Sequence, residues 1–271
     1  MTLDRAWRTF ATVLSFFVFG VACLVLLSWL PLALALPFYW GRTRRNRLTR
    51  LAVNWWFLKF LHFMKFLGLC TWELKGVEKL NRPGQMIIAN HPMFLDIMFM
   101  LAVLPQATCV IKGKVKRNPF LLLPVWGAGY IVNENSGSMI AGGCEALERG
   151  ENFIIFPEGT RTRLGKPVTF QRGAANIAVK SARALTPVVI DCKPPTLTKE
   201  MPWYRAPERP WHFTMVVKDD VPLEGFRAAG EAPVASRRLN EHLQNYYSRE
   251  LKANGRPDPA DEAVADRVLE S

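Results

Sequence analysis

The chain has 271 residues, of which 49% are hydrophobic, and 35 lysines and arginines against 23 aspartates and glutamates give a formal net charge of +12. That length fits one core with appendages better than two domains, and the charge calls for a polyanionic partner: nucleic acid, an anionic membrane surface or a phosphorylated substrate. Cys23, Cys70, Cys109, Cys144 and Cys192 stand singly, and His62, His91, His212 and His242 lie far apart, a pattern that excludes a zinc knuckle or a paired redox motif and predicts free thiols and no structural metal.

From Phe10 to Trp40 no residue is charged. At about 1.5 Å per residue, one helix of that length would outrun a hydrocarbon core of roughly 30 Å, so it must tilt, bend or break. Pro31 and Pro37 offer the place. A spanning helix that ends near Pro31 and a helical hairpin that returns to the same leaflet both fit; a cleaved signal peptide fits worst, because the run is too long and lacks a small-residue cleavage site. The block "GRTRRNRLTR", with Arg42, Arg44, Arg45, Arg47 and Arg50, should stay on the cytoplasmic side against anionic headgroups. It adjoins an apolar anchor and no recognition motif follows, which argues against nucleic acid. Residues 51–70, rich in Trp, Phe and Leu with Lys59 and Lys65, suit an interfacial helix and a core helix about equally.

Beyond residue 70, short β-like runs alternate with helical ones, which predicts an α/β domain with a compact sheet flanked by helices. The expected strands are "TWELKG", "QMIIAN", "TCVIKG", "NFIIFP", "TPVVIDC" and "WHFTMVVKDDV". The expected helices are "MFLDIMFMLAV", "SMIAGGCEALERG", "GAANIAVKSARAL" and "ASRRLNEHLQNYYSRELK", with a basic stretch "KGKVKRNP" and a proline-bounded apolar segment "FLLLPVWGAGYIV" between. The organisation is therefore a membrane anchor with interfacial helices at 1–70, a catalytic domain at 71–226, and a helix with a mobile polar tail at 227–271.

"IIANHPMFLDIMF" places His91 at the end of a predicted strand, where ligand-binding loops of α/β sheets gather, and Asp96 five residues later. In one regular helix these two would point about 140° apart and never touch. Pro92 favours extended backbone at His91 and can open a helix, so the chain can fold back and bring carboxylate to imidazole as the base and orienter of acyl transfer. The plainer reading has Asp96 cap a local turn while His91 is an ordinary strand-end polar residue. "FIIFPEGTRTR" then ends a strand in Glu158, Gly159, Thr160, Arg161 and Arg163, an anion-binding loop in which a guanidinium fork matches phosphate.

"NHPMFLD" followed some sixty residues later by "FPEGTR" resembles the lysophospholipid and glycerolipid acyltransferases, and the resemblance runs from about Trp72 to Asp191, through "FQRGAANIA" and "TPVVI". It implies that family's mixed sheet flanked by helices, N-terminal membrane-anchoring helices, and transfer of a fatty acyl group from a thioester to a hydroxyl without an enzyme nucleophile. His91 would take the hydroxyl proton and Asp96 would hold the imidazole. Glu158, Gly159, Thr160 and Arg161 would bind the acceptor, and Lys112 resembles a basic residue between the first two motifs. No cofactor is implied beyond acyl-CoA or acyl-carrier protein as donor. The partners implied are membrane lipids, and the location is a bacterial inner membrane with the catalytic domain facing the cytoplasm.

One position departs. The family's second motif carries an arginine where "GAGYIVN" places Asn133, so the acceptor site loses a charge. The simplest acceptor is 1-acylglycerol-3-phosphate; a lyso-aminolipid or a specialised acyl donor keeps the chemistry, and a membrane-anchored binding protein keeps only the fold. A hydrolase is disfavoured, since no Gly-x-Ser-x-Gly elbow is present. Donor identity, chain length and oligomeric state are not written in the sequence.

Overall fold

A computed structural model of the chain describes residues 3–34, 41–163 and 166–254. The polar tail beyond residue 254 and Pro37 lie outside the described residues.

Seven strands form one mixed sheet in the order β1-β7-β6-β2-β5-β3-β4. These are β1 (Cys70–Lys75), β2 (Gln85–Ala89), β3 (Thr108–Lys112), β4 (Ile131–Asn133), β5 (Phe153–Ile155), β6 (Ala184–Lys193) and β7 (Trp211–Val217). Strands β6, β2, β5, β3 and β4 run parallel, whereas β7 pairs antiparallel with β6 and carries β1 parallel to itself. The inner strands are apolar on both faces because helices cover both. In β2, Ile87 and Ala89 enter one core and Met86 and Ile88 the other. The first core is roofed by α2 (Arg42–Phe66) and α3 (Asp96–Val103), with Ala11 of α1 (Leu3–Leu34) packed into it. The second is roofed by α5 (Ser136–Glu148), α6 (Arg172–Ser181) and α8 (Ala232–Ala253), the last preceded by the short α7 (Glu224–Arg227).

The segment "FLLLPVWGAGYIV" divides into α4 (Pro119–Ala128), which carries Pro124 inside it, and strand β4. Helix α1 continues three residues past Pro31, to Leu34. Among the described residues its stretch Leu3–Val25 is the one helix long and apolar enough to cross a membrane, and most of it is not buried. Its start is pinned to the globular part: the Trp7 indole N–H donates to Leu67 O at 3.2 Å and Arg8 Nε to Pro207 O at 3.2 Å. Helix α2 packs as a core helix on one face, burying Val53, Phe60, Leu61 and Met64, and exposes Leu51, Trp55, Leu58 and Phe66 on another.

Arg50 corrects the reading of the arginine block. Instead of facing headgroups it is buried, with Nε donating to Ala128 O at 2.8 Å, Nη1 to Gln106 O at 3.0 Å, and Nη2 2.8 Å from Glu151 Oε2. A charge so enclosed persists only with such partners, and α2 turns this position toward the body of the protein. Arg45 lies 4.1 Å over the Trp126 ring.

Strands β2 and β6 are bridged by side chains near the end that carries His91. Pro187 lies opposite Ile88 and brings no N–H. The buried Tyr247 hydroxyl fills the gap, accepting from Val188 N at 3.1 Å and donating to Ile88 O at 2.5 Å. Tyr247→Phe leaves a buried N–H and a buried carbonyl unpaired, and we expect it to destabilise the fold by about 1–3 kcal/mol, read from the denaturant midpoint. A midpoint equal to wild type would contradict this.

Candidate active site

The C-terminal ends of β2, β5, β3 and β4 all lie along one edge of the sheet, and the loops there hold the candidate residues. Asn90 fixes the end of β2: its amide donates to Ile190 O at 2.7 Å and accepts from Ile190 N at 2.8 Å, extending the pairing with β6 by a side chain. His91 then leaves the sheet, Pro92 follows, and the chain turns so that Asp96 is the first residue of α3.

That turn brings His91 Nδ1 to 2.8 Å from Asp96 Oδ2. The same oxygen accepts from Met93 N at 2.9 Å, so Asp96 both closes the local turn and holds the imidazole; the two readings of the sequence describe one carboxylate. With Asp96 accepting, the network assigns the proton to Nδ1 and leaves Nε2 with its lone pair. Phe156, leaving β5, stacks on the imidazole with ring centroids 4.3 Å apart and planes 23° off parallel, which fixes the ring from its face.

The two motifs are tied through His91's own backbone. His91 N donates to Glu158 Oε1 and to Thr162 Oγ1, both at 3.1 Å, and His91 O accepts from Thr162 N at 2.7 Å. Thr162 Oγ1 donates to Glu158 Oε1 at 2.5 Å. Glu158 Oε1 is thus occupied within the loop. The sequence reading assigns it to the acceptor; in the structure its Oε1 joins the His91 backbone to Thr162, and the side chain is not among those lining the cavity. Gly159, with φ of +64°, lets the loop turn back toward Phe156, whose carbonyl accepts from Gly159 N at 3.1 Å.

His91, Gly159, Thr160, Arg161, Lys112 and Asn133 all line one cavity of about 870 Å³. Its apolar wall includes Ile97, Val110, Ile140, Ile155, Phe156 and Phe170. Lys112 and Asn133 are register partners on β3 and β4. Arg161 is partly engaged: its Nη1 donates to Leu197 O at 2.9 Å and Thr198 O at 2.7 Å, clamping the loop after β6.

Burial pushes the Asp96 carboxyl above the usual carboxylate range, against the opposing pull of its bond to His91. Lys112 is held below the usual lysine range, first by burial and then by the neighbouring charges of Lys199, Arg161 and Lys114. Among the described residues no three side chains of His, Cys, Asp or Glu converge as metal ligands would.

Sequence reasoning assigned no role to Asn90, Phe156, Thr162, Tyr247 or Lys199. Asn90, Phe156 and Thr162 lie within or beside the quoted motifs and were within reach of a strand-end reading. Tyr247 and Lys199 come from distant segments and carry no local signal.

Comparison with known proteins finds acyltransferase sequence over the part of the chain that carries this site. Residues 72–191 match the family model described as Acyltransferase. A Caenorhabditis elegans protein provisionally named as a 1-acyl-sn-glycerol-3-phosphate acyltransferase is 32% identical over 142 residues, 49% of this chain and 50% of that protein. The chain thus spans about half the length of that relative. The Bos taurus 1-acyl-sn-glycerol-3-phosphate acyltransferase alpha is 27% identical over 213 residues, 73% of this chain and 70% of the bovine one. Among solved structures, that of the 1-acyl-sn-glycerophosphate acyltransferase PlsC from Thermotoga maritima superposes with a TM-score of 0.67 at 19% identity, covering 91% of this chain and 98% of that one. Residues 72–191, which carry this site, are thus similar in sequence to acyltransferases, and the fold is that of PlsC.

Proposed function

We propose that the protein transfers a fatty acyl group from an acyl thioester to the free hydroxyl of 1-acylglycerol-3-phosphate, giving phosphatidic acid. The observation that carries this reading is the 2.8 Å contact of His91 Nδ1 with buried Asp96, at the wall of a cavity that combines a long apolar lining with Lys112 and Arg161. His91 Nε2 takes the hydroxyl proton as that oxygen attacks the thioester carbonyl, and Asp96 stabilises the resulting imidazolium. Collapse of the tetrahedral intermediate breaks the carbon–sulfur bond, and the leaving thiolate recovers the proton from His91. The cations receive the acceptor's phosphate and the apolar wall an acyl chain. Either acyl-CoA or acyl-carrier protein fits as donor.

The site opens beside an apolar surface suited to a membrane. Phe94, next to the catalytic turn, is exposed and lies 6.4 Å from Phe16 of α1, which contacts Trp203 at 5.5 Å. Leu3, Trp7, Phe10 and Phe17 of α1 are exposed as well. We read α1 and α2 as an anchor lying against a bilayer from which the acceptor enters, with the exposed Arg42, Arg44 and Arg47 at cytoplasmic-leaflet headgroups.

Purified protein incubated with labelled acyl thioester and matched acceptors, with and without phosphate, tests the reaction. Phosphatidic acid is the expected product. Transfer confined to phosphate-free acceptors would favour a different lysolipid, and no transfer to any glycerolipid would overturn the reading.

A further inference from the structure

The loop after β6 carries a cation that the sequence motifs do not include. Lys199 lines the same cavity as Lys112, Asn133 and Arg161. Its place is fixed from the motif side: Arg161 Nη1 grips the carbonyls of Leu197 and Thr198, and Phe94 N donates to Leu197 O at 3.1 Å. Leu197 is buried with φ of +50°, and Thr198 is only 3% exposed, so the backbone that presents Lys199 is held tightly although its side chain is exposed.

Resting on the acceptor reading above, we propose that Lys199 is a specificity-determining residue of this enzyme, binding the acceptor's phosphate together with Lys112 at a site where Asn133 brings no charge. Arg161 is engaged at Nη1 by two carbonyls, so its fork is not wholly free for a bidentate phosphate. Among the described residues no carboxylate lines the cavity, and neither Lys112 nor Lys199 forms an ion pair. Lys112 and Lys199 therefore share a wall on which no carboxylate stands. Lys199 is the charge that bears most on Lys112, ahead of Arg161 and Lys114, and Arg172, also at the cavity, does not figure there. A phosphate dianion seated between Lys112 and Lys199 relieves that repulsion, which gives the site selectivity for phosphate over a neutral headgroup.

Lys199→Ala is expected to raise KM for 1-acylglycerol-3-phosphate about tenfold, much more than KM for the acyl donor, the scale of one partly solvated ion pair. Added salt should weaken acceptor binding less in the variant than in the wild type. Lys199→Arg should restore most of the loss. So should Asn133→Arg added to Lys199→Ala, since position 133 lies beside Lys112 on the adjacent strand. Equilibrium binding of 1-acylglycerol-3-phosphate and of monoacylglycerol to the detergent-solubilised full chain gives the same comparison without turnover. Failure of the wild type to acylate or bind the phosphate acceptor overturns the acceptor reading itself. If the wild type does use that acceptor, three results overturn the role of Lys199: an unchanged KM in Lys199→Ala, a rise confined to the donor, or equal weakening of both lipids.

Discussion

His91→Ala is expected to lower kcat/KM by about 100- to 10,000-fold, the range a positioned general base contributes, without unfolding the protein. The backbone N–H and carbonyl of His91, which tie the catalytic turn to Glu158 and Thr162, survive the substitution. What disappears is the imidazole between Asp96 and Phe156. Acyl transfer and circular dichroism on the same preparation separate the two effects. Added imidazole should recover part of the lost rate, because removing the ring leaves a slot bounded by Phe156 and the Asp96 carboxylate. Turnover equal to the wild type would remove His91 as the base, and loss of the folded signal would make it a structural residue.

Most strands were legible because they obey a simple rule. "QMIIAN", "NFIIFP" and "TPVVIDC" are short apolar runs bounded by turn residues, and all become strands buried on both faces. The order of those strands was not legible. Nothing local in "WHFTMVVKDDV" says that it runs antiparallel to β6 and carries β1 on its outer edge. The fate of Arg50 was hidden for a related reason. In sequence it is one arginine among five, and only the packing of α2 brings it to Glu151 and to carbonyls more than fifty residues away.

The site divides along the same line. His91 and Asp96 were readable because helical geometry forbids their contact at a spacing of five unless the chain turns, and Pro92 lies where a turn begins. The tie of Glu158 to the His91 backbone and the Thr162 hydroxyl was not legible, because those partners come together only when the two motif loops meet. Lys199 stands beyond the residues that resemble the family, and its approach to Lys112 depends on a loop that Arg161 folds back. An arginine picked out as a phosphate ligand thus also shapes the site by holding its own neighbour in place.

Asp96→Asn should separate stability from catalysis in opposite directions. Asp96 is 0% exposed; Oδ2 accepts from both His91 Nδ1 and Met93 N, while Oδ1 is buried without a hydrogen bond. Burial raises its folded-state pKa above the unfolded value near 3.8. A carboxyl raised in this way favours folding when protonated, and that contribution is lost as pH rises through the folded-state value. At neutral pH the ionised group is therefore a net cost to the fold, and an amide of the same shape removes it. Asp96→Asn is expected to melt no lower than the wild type at neutral pH, with its relative stability growing as pH rises through the raised value and vanishing below about 4. Activity should nevertheless fall, on the order of 1,000-fold, because the imidazolium formed during transfer loses its counter-charge and the amide can turn its N–H toward Nδ1, selecting the tautomer that cannot act as base at Nε2. Melting curves across pH beside kcat measurements test both halves. A variant that is inactive and less stable throughout would show the carboxylate to be chiefly structural, and one that keeps full activity would show that the imidazole needs no charged partner.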